Sequence, residues 1–60
     1  SDEAKEILEL LKKNSPIQLN DLKQQSGLSN KKWDKTIKEL TKHNLAKVSK
    51  TDEGLFIEVI

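Results

Sequence analysis

Apolar residues recur along this chain with two periods, and the change from one to the other happens once. Near the start, Ala4, Ile7, Leu8 and Leu11 fall three and four residues apart, with Leu10 beside them. That is the spacing of one helical face. Asp2 and Glu3 suit the positive end of such a helix, and Lys12 and Lys13 suit its negative end. Asn14 fits a left-handed cap and Pro16 forbids continuation, so the pattern predicts a helix over residues 2–13. Residues 16–19 read as a short extended segment in which Ile17 and Leu19 alternate with Gln18. Asn20 then caps a second, short helix over 21–26, with Leu22 as its main inward residue. Gly27 supplies the positive φ that ends it. Leu28 plugs the turn and Ser29 caps a third helix, which runs from Asn30 to about His43, so that helix and cap span 29–43. Trp33, Ile37 and Leu40 form its apolar stripe. Asn44 closes it, and Leu45 is expected to tuck beneath it.

From residue 45 the period is two. Residues 45–50 alternate, Thr51, Asp52, Glu53 and Gly54 make a turn with glycine where a left-handed residue is needed, and 55–60 form a strand rich in Ile, Val and Phe. The fold class expected is α+β: three helices plus a small antiparallel sheet built from the short strand and a C-terminal β-hairpin. Sixty residues hold one domain, 1–60. A chain this short buries only roughly 60% of its unfolded surface, so each apolar residue matters. With no initiator Met, the segment reads as cut from a larger protein.

The order helix, short strand, helix, tight turn, helix, hairpin resembles the winged helix-turn-helix family. Asp21, Leu22, Ser26, Gly27, Leu28, Ser29, Trp33, Ile37, Leu40, Asn44, Leu45, Ala46, Lys47 and Val48 carry that resemblance. The family includes both DNA binders and protein binders, so the fold leaves function open.

Chemistry narrows the choice. There is no cysteine and one histidine, His43, which sits at a helix end and cannot build a zinc site alone. Trp33 belongs to the apolar stripe, where a large aromatic serves the core. Ser15, Ser26, Ser29 and Ser49 lack a nucleophile's context. The carboxylates are scattered, and Gly27 and Gly54 are too far apart for a phosphate loop. No enzyme activity, cofactor, metal or small-molecule substrate is expected. No apolar run reaches the roughly 20 residues needed to span a bilayer, and Ser1, Asp2 and Glu3 do not open a signal peptide. A cytoplasmic place is expected, with no direct membrane insertion.

Charge separates two functional readings. Net charge is +1, and all eleven basic residues are lysine. Arginine is the usual reader of guanine and of narrow minor grooves, so its absence weakens sequence-specific DNA reading while leaving lysine–phosphate contacts open. The third helix offers Asn30, Lys31, Lys32, Asp34, Lys35, Lys38 and Lys42 on its outer side; Asp34 with Lys38 and Lys35 with Glu39 have the spacing of surface ion pairs. The hairpin tip carries Asp52 and Glu53, which phosphate would repel. On the last strand, Leu55, Ile57 and Val59 share one face, and Phe56, Glu58 and Ile60 the other. With one covered face available, one set is expected to be at least partly exposed. The strand edge is expected to offer unpaired backbone groups.

The favoured expectation is a protein-interaction module that docks an extended peptide on its sheet. Leu45, Lys47, Val48, Phe56, Ile57, Val59 and Ile60 are its candidate contacts. In size, lysine-rich composition and hairpin 45–60 the chain is similar to the C-terminal winged-helix-like domain of archaeal ESCRT-III cell-division proteins of the CdvB type. That resemblance implies docking of a peptide from a CdvA-like, membrane-bound partner, and recruitment to the membrane through it. The alternative is a DNA-binding winged helix of a transcription regulator or replication protein, reading the major groove with Asn30, Lys31, Lys32 and Lys35 and holding phosphates with Lys47 and Lys50. Such proteins usually dimerise, and Lys5, Glu6, Glu9 and Lys12 make the outer face of the first helix too polar for a dimer seam.

Overall fold

Ala4, Ile7 and Leu11 place a buried stripe on the first helix, and residues flanking it set both ends. A computed structural model describes residues 2–60; Ser1 lies outside the described residues. The elements are α1 (Asp2–Asn14), β1 (Ile17–Gln18), α2 (Leu19–Ser26), α3 (Asn30–Lys42), β2 (Ala46–Thr51) and β3 (Gly54–Val59). Three helices and a three-stranded antiparallel sheet give an α+β arrangement compatible with a winged helix.

Local chemistry explains most boundaries. Asn14 stays inside α1 rather than capping it in a left-handed conformation, and its Nδ2 donates to the Leu10 carbonyl at 2.9 Å. The second helix starts earlier than its sequence suggests, at Leu19, with Gln18 in the cap position and no side-chain cap bond. Starting there puts Leu19 one turn before Leu22 on the same side, so both meet the core. Gly27 ends α2 at φ 69°. The Ser26 hydroxyl donates to the Lys23 carbonyl and accepts from the Leu28 amide. Ser29 then caps α3, its Oγ accepting from the Lys32 amide at 3.3 Å. Asn44, at φ 58°, is the left-handed residue that turns the chain out of α3.

The core comprises Ala4, Ile7, Leu11, Leu22, Trp33, Leu40, Ala46 and Ile57. Thr36, rather than Ile37, is buried with Trp33 and Leu40 on α3, and Ile37 is half-buried. Threonine carries a methyl group beside its hydroxyl, so it can enter a core although hydropathy reads it as polar. Leu45 does not tuck under the helix; it is 43% exposed.

The strand order is β1-β3-β2, so β3 is the central strand. Ile17 pairs with Ile57 and Gln18 with Phe56 on one side, while β2 pairs with β3 on the other from Ala46–Val59 to Thr51–Gly54. The Val59 amide donates to Ser15 Oγ at 3.0 Å, so a side chain extends the ladder just before β1 begins. The edge of the last strand expected to be free is thus taken up at Phe56, Ile57 and Val59, and β2 is an outer strand of the sheet. Asp52 and Glu53 form the hairpin tip; Thr51 Oγ1 accepts from the Glu53 amide at 3.1 Å, and Gly54 takes φ 125°.

Candidate functional site

Paired residues in an antiparallel ladder share a face, so the register assigns each strand residue a side. Ile57 has 0% exposure and defines the covered face. Val48 lies opposite it, Ala46 opposite Val59, and Lys50 opposite Leu55. The outer face carries Phe56 opposite Ser49 and Gln18, and Glu58 opposite Lys47. Ile60 continues the alternation; its amide donates to the Leu45 carbonyl at 3.2 Å.

The seven residues expected to bind a partner therefore do not make one surface. Ile57 belongs to the core, so its side chain is not available to a partner. Val59 packs against that core, and Val48, 40% exposed, sits on the helix side of the hairpin. Leu45, Lys47, Phe56 and Ile60 do share the outer face. Phe56 is half-buried and Ile60 is 66% exposed. An open groove of about 490 Å³ crosses this face at Phe56, lined also by Pro16, Ser49, Thr51, Asp52, Glu53, Ile57 and Glu58. Lys47 bridges to Glu58 at 3.3 Å.

The nucleic-acid candidates also divide. Lys47 is held on the outer sheet face by Glu58, away from α3, so it does not join a phosphate site built on that helix. Lys50 lies on the helix side of the hairpin. On α3, Lys31, Lys35, Lys38 and Lys42 follow one another at steps of four, three and four, which keeps them on a single stripe about 16 Å long. All four are exposed. They lie roughly opposite the buried Trp33, Thr36 and Leu40. Lys32 and Asn30 flank the stripe; Lys32 borders a shallow hollow of about 150 Å³ shared with Glu3 and Glu39.

The stripe changes the meaning of the net charge. The helix α3 holds five lysines against two acids, Asp34 and Glu39, whereas the hairpin from Ala46 to Val59 holds two lysines against three acids. A formal charge of +1 thus conceals a segregated surface. Lys38 and Lys42, on the outer side of α3, join the sequence-predicted Lys31 and Lys35. The four-three-four spacing is the signal that unites them. Among the described residues, no group of three or more His, Asp or Glu side chains is placed to hold a metal ion, and no helix is long and apolar enough to cross a membrane.

No family model and no solved structure matches the chain. A lysine–tRNA ligase of Christiangramia forsetii is 52% identical to it over 59 residues. The match takes in 98% of this chain but spans only 10% of that ligase.

Proposed function

We propose that this chain is a non-catalytic binding module that holds the sugar-phosphate backbone of a structured RNA, with tRNA as the partner, on the lysine stripe of α3. The observation that carries this reading is the single exposed row of Lys31, Lys35, Lys38 and Lys42, set opposite the buried side of the same helix. Lysine is a flexible point charge suited to phosphate, and it lacks the planar fork with which arginine reads base edges. A stripe of lysines without arginine therefore favours affinity for backbone over discrimination among sequences. That fits a partner recognised by shape, as folded RNA is. It fits a DNA operator less well. The similar ligase, by its name, acts on tRNA. A tRNA-holding patch would add affinity to such an enzyme without touching its chemistry.

The test is a titration of labelled tRNA with this chain across a range of salt. Four phosphate contacts give a slope of log affinity against log salt of about −3 to −4. The double variant K35Q/K38Q should lower affinity roughly tenfold and flatten the slope by about two. K12Q/K13Q on α1 removes the same charge elsewhere and should change little. Equal losses in the two double variants, or binding indifferent to salt, would refute the stripe as the site.

A further inference from the structure

The outer face of the sheet has the opposite chemistry to α3, and it is not needed for RNA. Half-buried Phe56 lines its groove together with Pro16, Ser49, Thr51 and Ile57. Its border is acidic: Asp52 and Glu53 at the hairpin tip and Glu58 on β3. The cation nearest this border in the sheet register, Lys47, is engaged with Glu58 at 3.3 Å. Phosphate would be repelled here. A cation would be attracted, and an aromatic ring in a groove with acidic residues on its border suits a planar guanidinium, which stacks on the ring while its edges donate to the acids.

At the other end of the same face, Leu45 and Ile60 are exposed, at 43% and 66%, and joined by a backbone hydrogen bond. Phe56 and Ile60 are four residues apart on an extended chain, a separation of about 13 Å. A peptide that is itself extended repeats its side-chain direction every second residue. Two of its side chains four positions apart therefore span the same distance.

We infer that the outer sheet face is a docking site for an extended protein segment carrying an arginine and an apolar residue four positions apart. The arginine sits over Phe56 among Asp52, Glu53 and Glu58, and the apolar residue lies on Leu45 and Ile60. The inference does not depend on RNA binding by α3. It differs from docking at a strand edge, because the contact is made by side chains across the face.

The probe is acetyl-Leu-Ser-Ser-Ser-Arg-amide, added to the ¹⁵N-labelled chain while amide resonances are followed. Shifts are expected at Ser49, Phe56, Glu58 and Ile60, and not along α3. The same peptide with glutamate in place of arginine should give none. F56A should abolish the shifts. Because Phe56 is half-buried, D52N/E53Q provides a second variant at the exposed tip, which should weaken binding by about threefold or more while leaving the spectrum dispersed. Absence of shifts at millimolar peptide, shifts that map to α1 or α3, or equal binding of the glutamate peptide would each overturn the assignment.

Discussion

The stripe on α3 and the outer face of the sheet are both solvent-facing surfaces of the same small domain, and they solve opposite problems. On α3, four exposed lysines share one stripe and outnumber the helix's two acids, Asp34 and Glu39. On the sheet, the lysine of the outer face is tied to Glu58, and Asp52 and Glu53 line one end of the groove over an aromatic ring. The lesson is that a near-zero net charge says little about partners when the signs are sorted by element. What a ligand meets is the local field, which falls off over about 10 Å at moderate salt. Each surface also depends on a buried layer directly beneath it: Trp33, Thr36 and Leu40 under the stripe, and Ile57 under the sheet.

The largest effect should come from exchanging the two sides of one strand. Ile57 and Phe56 are neighbours in sequence but face opposite ways. I57A removes a fully buried side chain and should cost about 2–5 kcal/mol, enough to unfold much of a domain this small. F56A removes a half-buried ring from the outer face and should cost about 1 kcal/mol. Chemical denaturation of the two variants measures the difference. If F56A proved as damaging as I57A, the outer face would be part of the core and not a free surface.

Next come the residues that aim α3. Gly27 takes φ 69°, and a Cβ there would meet nothing within 4 Å. G27A therefore tests backbone strain alone, with an expected loss of roughly 1–2 kcal/mol. S29A deletes the cap of α3 and should cost about 1 kcal/mol. Both should lower thermal stability by several degrees while leaving the peptide site on the sheet competent in the folded fraction. A loss of peptide binding in the folded fraction of S29A would mean that the two surfaces are coupled.

Much of the fold was legible because each junction carries its own physical mark. Gly27, Ser29, Asn44 and Gly54 stand where the chain must turn or cap, and the change of period at residue 45 announces the hairpin. Errors arose where hydropathy is silent. Thr36 is buried although its hydroxyl reads as polar, and Leu45 is exposed although it reads as core. Ser15 closes the ladder to Val59 across 44 residues, a pairing that no local pattern encodes. The candidate sites were less legible for a related reason. Alternation divides β3 into two faces, but only strand order shows that β3 is central and that Ile57 is unavailable. On α3 the lysines were visible, yet the total charge, averaged over the whole chain, hid the row they form.

The smallest effect tests the comparison most directly, because one variant should act on the two surfaces with opposite sign. D52N/E53Q removes two negative charges from the hairpin tip, where Asp52 and Glu53 are exposed. Their repulsion of a phosphate backbone docked on α3 acts through water and over distance. Its removal should raise tRNA affinity only about twofold at low salt and vanish near physiological salt. The same substitution takes two carboxylates from the seat over Phe56 and should weaken the arginine peptide. Parallel titrations with tRNA and peptide therefore have a distinctive expected result, a small gain in one and a larger loss in the other. A change in the same direction for both ligands would mean that they share a surface, and the division between helix and sheet would fail.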